Sequence, residues 1–139
     1  MTAFTDRRTG LDVIERAECL ALLAAAEVGR LAVASGGAAE IFPVNYVVDG
    51  EEIVFRSAAG TKVRLAQRAD VAFEIDAFDP ATRTGWSVVV HGHVEEVAPH
   101  VAAAYAERLG VDPWADGFKP HVLRIRPRTV TGRRIAGDA

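Results

Sequence analysis

The chain has 139 residues, half of them apolar and a quarter charged, with a net charge of −3. That length fits one domain, 1–139, which can bury a core without disulfides or a structural metal. The apolar fraction argues against disorder, and the acidic balance argues against a dedicated nucleic-acid binder. Cys19 is the single cysteine, so no intrachain disulfide forms. Residues 1 to 10 carry no apolar run of the signal-peptide kind, and no stretch approaches the roughly 20 apolar residues of a membrane helix. The expectation is a cytoplasmic domain with no membrane partner.

In chain order, residues 16 to 27 read as a helix, rich in alanine and leucine, with Leu20, Leu23 and Ala24 on one face. Gly29 is expected to end it. A short strand follows at 30–34, closed by Ser35-Gly36-Gly37. A second strand runs from Glu40 to Val48 and contains Pro43, which cannot donate a ladder hydrogen bond. Pro43 therefore marks an edge, a bulge or a place where something other than a strand lies alongside. Asp49-Gly50 reads as a type I′ hairpin turn into a return strand from Glu52 to Ser57.

Ala58-Ala59-Gly60 is a small-residue loop, followed by a short helix from Thr61 to Gln67 with Thr61 as N-cap. Val71 to Ala77 alternates as a half-buried strand does. Residues 78 to 84 read as a polar loop, and Gly85 to Val97 as the longest strand, with Gly92 at a bulge or bend. A second helix is expected from Pro99 to Leu109, with proline in its first turn. An irregular stretch, 110–120, leads to a last strand from His121 to about Thr131, and both the N-terminal tail and the tail after Gly132 are expected to be loose. The fold class is mainly β: at least six short antiparallel strands around an apolar core, closing into a small barrel with helices at its rims, the core spanning about residues 10–131.

The strongest chemical constellation is Arg56-Ser57-Ala58-Ala59-Gly60-Thr61-Lys62. A strand ends in an arginine and a hydroxyl, small residues permit close backbone approach, and a helix begins at Thr61-Lys62. Free N–H groups at a helix start suit a phosphate, with Arg56 as a fork of donors and Lys62 as a point charge. The plain alternative is a capped surface helix with a solvated lysine. Pro43-Val44-Asn45-Tyr46 is the second point of interest, since a flat heteroaromatic ring can use backbone groups where proline removes a donor. Trp86, in Gly85-Trp86-Ser87, can stack on a planar ligand or plug a barrel end. His91 and His93 share a strand face, but without a third ligand they make no zinc site. Glu74 and Asp76 share a strand face with nothing to mark them as an acid–base pair, and Arg133-Arg134 reads as solvated. If there is chemistry, a cofactor is expected to supply it.

In order and spacing, several segments together resemble the pyridoxamine 5′-phosphate oxidase-like family of FMN-binding split β-barrels. They are Val28-Gly29-Arg30-Leu31-Ala32, Phe42-Pro43-Val44-Asn45-Tyr46, Ile53-Val54-Phe55-Arg56-Ser57, Gly60-Thr61-Lys62, and Gly85-Trp86-Ser87-Val88-Val89-Val90 with Gly92 following. The resemblance implies a six-or-more-stranded antiparallel split β-barrel and a homodimer with FMN at the subunit interface. It places Arg56, Ser57, Thr61 and Lys62 at the FMN phosphate, and the strand Pro43, Val44, Asn45, Tyr46 along the isoalloxazine ring. Trp86 and Ser87 would come from the partner subunit or the ring's far side. It implies a flavin-dependent oxidoreductase of a small-molecule substrate, with a non-catalytic flavin-binding or redox-sensing module, or a deazaflavin-dependent reductase, as alternatives. Some relatives hold haem in the same fold. The C-terminal arginine/histidine segment that holds substrate phosphate in pyridoxamine 5′-phosphate oxidases proper is not found here, so the resemblance does not extend to vitamin B6 synthesis.

Overall fold

The computed structural model describes residues 4–6, 10–35, 37–58, 70–114, 117 and 119–135. In chain order these form β1 (Phe4–Asp6), β2 (Leu11–Ile14), α1 (Arg16–Ala25), β3 (Val28–Ser35), β4 (Ala38–Asp49) and β5 (Glu52–Ser57). They continue as β6 (Asp70–Asp79), β7 (Thr84–Glu96), α2 (Pro99–Leu109) and β8 (His121–Ile135). The helix expected from Thr61 to Gln67 lies outside the described residues.

Every strand pairing is antiparallel. The neighbour order is β1-β2-β8-β5-β4-β3-β6-β7, and β7 also pairs with β8. That last pairing closes β3, β4, β5, β8, β7 and β6 into a six-stranded barrel, with β2 and β1 added beside the far end of β8. Closure pairs most of the edges that an antiparallel sheet would otherwise expose. Alternation sends one side of each strand inward: Ile53 and Phe55, Phe73 and Ile75, Val88 and Val90, Leu123 and Ile125 are all buried. α1 covers the barrel end with Cys19 and Leu23. Tyr46 joins the two by donating its hydroxyl to the Leu23 carbonyl at 2.6 Å. α2 lies on the outside, where Ala102 and Ala106 pack with Val54, Val97, Val111 and Val122 in a second apolar cluster.

The structure corrects several boundaries. α1 stops at Ala25, with Ala26 N–H on the Leu22 carbonyl at 3.3 Å. Gly29 is no helix cap; it lies within β3, where a Cβ would run into the ring of Phe73. Ala24 is exposed, and Cys19 takes its place on the buried face. The β4–β5 hairpin closes on Asp49 opposite Glu52, so its loop is Gly50-Glu51. Gly50 has φ +64 and Glu51 is not among the positive-φ residues, so only the first loop position is left-handed, as a type II′ turn requires. Neither tail is simply loose: Phe4 to Asp6 pair with Val13 to Leu11, and at the other end Arg133 lies opposite both Val13 and Ser87. Other expectations coincide with the structure. The β7–β8 register shifts between His91 and Gly92, the bulge anticipated at that glycine, and Pro99 opens α2.

Candidate functional site

The barrel opens between β4 and β5. Their pairing begins at the hairpin and ends at Tyr46 opposite Phe55. Upstream of that point β4 stays with β3, while β5 continues beside β8 through Arg56 opposite Val122 and Ser57 opposite His121. Pro43 sits on the parted stretch of β4. Tyr46 N–H donates to the Glu27 carbonyl, so even-numbered residues of this strand face β3, and the nitrogen of Pro43 faces the parted side. Its missing donor is thus placed where no described strand lies alongside.

The same alternation sorts the side chains. Val44 and Tyr46 point into the barrel, Tyr46 edge-to-face with Phe73 at 4.9 Å between ring centres. Burial pushes the Tyr46 hydroxyl up to about 12. Pro43 and Asn45 point outward, and the Asn45 side-chain oxygen accepts from Trp114 N–H at 2.8 Å. Arg56 also points outward and donates Nε–H to the Lys119 carbonyl at 3.1 Å. Ser57, on the other face of β5, donates to the neighbouring Ala58 carbonyl at 3.1 Å. Thr61 and Lys62 lie outside the described residues.

On the outer face, Glu74 and Asp76, which the sequence put on one strand face without a role, meet an arginine that it did not connect with them. Arg30 lies opposite Pro43 on one side and Glu74 on the other, while Glu74 lies opposite Val89 and Asp76 opposite Ser87. Pro43, Arg30, Glu74, Asp76 and Ser87 therefore share one surface across four strands. One guanidinium nitrogen of Arg30 reaches Glu74 and Asp76, each at 3.1 Å. Glu74 is pushed up to about 7 by burial first, then by its hydrogen bond to Asp76 and that residue's charge, with Arg30 opposing. The raised Glu74 carboxyl therefore keeps its proton toward neutrality, beside Asp76. The signal available in the sequence was the charge at alternate positions of a strand whose other face is wholly apolar.

Because Glu74 holds a proton in the folded state that it releases in the unfolded chain, its contribution to stability is fully present at low pH and is lost as pH rises from about 4.5 to about 7. Glu74→Gln is expected to flatten this slope, removing a change on the order of 1 kcal/mol once partial exposure is allowed for. Urea midpoints at either end of that window test it, and an unchanged slope would assign the proton elsewhere.

Trp86 and Ser87 are separated by the pleat. Ser87 joins the outer surface, whereas Trp86 turns inward at the barrel end and packs against the core. With Phe78, Thr84, Arg134 and Ile135, Trp86 lines a cleft of about 440 Å³. Arg134 is held there by Glu18 at 2.6 Å rather than being simply solvated. A second cleft, of about 480 Å³, lies between the end of α1, β4 from Asn45 to Val48, and the loop carrying Trp114. Among the described residues no three or more metal-ligating side chains come together, and no helix is long and apolar enough to cross a membrane.

The sequence profile of the pyridoxamine 5′-phosphate oxidase family matches residues 15–134. An uncharacterised protein of Mycobacterium tuberculosis, Rv0080, is 36% identical over 132 residues, 91% of this chain and 86% of its own. The FAD binding protein of Mycobacterium smegmatis superposes with a TM-score of 0.73 at 34% identity, covering 89% of this chain and 99% of that one. A FAD-binding protein from Mesorhizobium loti superposes at 0.70 with 26% identity, covering 91% and 99%. With its six-stranded antiparallel split barrel and a profile match over nearly its whole length, the chain belongs to the pyridoxamine 5′-phosphate oxidase-like family.

Proposed function

We propose that the chain binds a flavin, FMN by the reading of its phosphate ligands, and serves as an oxidoreductase of a small molecule. The observation that carries this is the parting of β4 from β5. It leaves backbone groups on the Pro43 side of β4 beside no described strand, and it sets Arg56 just past the last pair on the opposite wall. A planar ring edge rich in donors and acceptors fits the first feature, and an anionic phosphate fits the second. Two relatives carry FAD binding in their names, which supports a flavin of either kind. When bound, the flavin supplies hydride transfer.

The chain's own part is positional and electrostatic. Arg56, with Ser57 and the sequence neighbours Thr61 and Lys62, anchors the phosphate. The β4 backbone orients the ring edge, and Glu74, beside Asp76, holds a proton on the outer surface that includes Pro43 and Ser87. A single small barrel offers an open wall rather than an enclosed cleft, so the reading takes a second copy of the chain to cover the ring. Titration of the purified protein with FMN and with FAD, followed by flavin fluorescence, is expected to show saturable binding near one flavin per chain, with FMN the tighter. Colourless protein that saturates with neither flavin would overturn the reading. Competition with a deazaflavin coenzyme separates that alternative, and turnover of NAD(P)H with quinones or nitro compounds separates an enzyme from a binding module.

A further inference from the structure

At the barrel mouth where β5 ends, β7 and β8 bring a histidine and a carboxylate together. His121 opens β8 directly opposite Ser57, and Glu96 ends β7 opposite Leu123. Leu123 belongs to the barrel core, and Val122 to the apolar cluster outside it. By the pleat, Ser57, His121 and Glu96 therefore share the inward face at this mouth. His121 Nδ1 lies 2.5 Å from the Glu96 carboxylate, with both side chains partly buried.

The nearby cations differ in how they are neutralised. Arg124, Arg126 and Arg128 on β8 are each paired with a carboxylate. Arg56, next to Ser57, donates Nε–H to the Lys119 carbonyl, and among the described residues its guanidinium meets no carboxylate. Among the same residues, His121 Nε2 has no hydrogen bond. A guanidinium fork and an imidazole nitrogen, one strand position apart at a strand end, suit an anion with several oxygens.

Glu96 decides in which state the ring can serve. A carboxylate accepts, so Nδ1 carries the hydrogen, and in the neutral ring Nε2 is then a bare acceptor that repels a phosphate oxygen. Only the imidazolium has a second N–H to donate. Its charge also offsets that of Glu96, which would otherwise oppose an anion.

We propose that His121 is a further phosphate ligand at this mouth, donating from Nε2 as the imidazolium while Glu96 holds Nδ1, so that phosphate binding takes up a proton from solvent. The assignment rests on the flavin reading, whose phosphate it helps to hold. The described charged groups around the ring are Glu96 from β7, Arg56 from β5 and Lys119 ahead of β8.

The test is the pH dependence of FMN, riboflavin and inorganic phosphate binding to the full chain, followed by flavin fluorescence and by the ¹⁵N signals of the histidine rings. A phosphate monoester has its second ionisation at about 6, so above about pH 7 the FMN phosphate stays dianionic. From there to about pH 8.5, FMN affinity is expected to fall by up to about tenfold per pH unit, the limit for one proton taken up. Riboflavin lacks the phosphate and should follow a flat curve, apart from any contribution of Glu74, which both ligands share. His121→Gln should flatten the FMN curve to that of riboflavin. Glu96→Gln keeps an oxygen on Nδ1 but removes the charge, and should move the FMN curve to lower pH; a merely structural Glu96 would weaken both ligands alike. An unchanged amide spectrum verifies the fold of each variant. An FMN curve no steeper than that of riboflavin, or one just as steep in His121→Gln, would overturn the proposal. If neither flavin binds, saturable shifts of the His121 ring nitrogens by inorganic phosphate would leave the phosphate ligand standing and remove only the flavin. Their absence would overturn both.

Discussion

Phe73→Ala is expected to lower the free energy of unfolding by about 3–5 kcal/mol, the range for truncating a fully buried phenylalanine. The ring is inaccessible to solvent at the centre of the barrel. Three elements depend on it. Gly29 of β3 lies so near that a Cβ there would overlap the ring. Tyr46 of β4 packs edge-to-face on it. Through the Tyr46 hydroxyl on the Leu23 carbonyl, the ring also supports the end of α1. A rigid, closed sheet cannot collapse into the space left behind, which places the cost toward the upper end. Urea unfolding at unchanged m-value measures it. Gly29→Ala supplies the coupling test: destabilising by about 1–3 kcal/mol in the wild type, where it overpacks the ring, it should be nearly neutral beside Phe73→Ala. Additive losses in the double variant would show that the two sites do not share this space.

That same pair explains where the sequence was legible and where it was not. Val71 to Ala77 could be read because one side of β6 meets the core and the other does not, a difference written locally into alternate residues. Gly92 could be read because a glycine interrupting a long alternating strand has few other uses. Gly29 could not. A glycine just after an alanine-rich helix looks like a cap, and its real reason, space for a ring 44 positions later, is set by the β3–β6 pairing. β2 and the end of β8 went unread for a related cause. Their residues are short or arginine-rich, and they become strand only by pairing with each other and with β7.

The site divides along the same line. Arg56-Ser57 and Pro43 stand out because a charged fork at a strand end and a proline inside a strand are local anomalies. Glu74 and Asp76 lie 44 and 46 residues from Arg30 and meet it only because β3 and β6, which no hairpin connects, run side by side. Trp86 and Ser87 show the reverse: neighbours in sequence, they face opposite sides of the barrel wall. A contiguous motif inside a strand is therefore two half-motifs on opposite faces, and only at a strand end, as at Arg56-Ser57, can neighbours reach one ligand.

Arg56→Ala is expected to weaken FMN binding about 10- to 100-fold, or ~1.5–3 kcal/mol for hydrogen bonds to a charged group, while leaving riboflavin binding nearly unchanged. The contrast between the two ligands is the decisive measurement, because riboflavin keeps the ring and lacks the phosphate. Arg56 also donates to the Lys119 carbonyl, so truncating it loosens a loop contact as well as removing a positive charge. Loosening would reduce affinity for both ligands alike, whereas loss of a phosphate ligand acts on FMN alone. Lys62→Ala, expected to cost about 1–3 kcal/mol by the same rule, repeats the test at a second predicted ligand. Arg56→Lys keeps the charge but not the fork, and should recover part of the loss if the phosphate is held mainly by charge, little of it if two parallel hydrogen bonds are required. Equal losses for FMN and riboflavin in both alanine variants would remove Arg56 and Lys62 from the phosphate site and leave the parted β4 edge as the sole support for a flavin there.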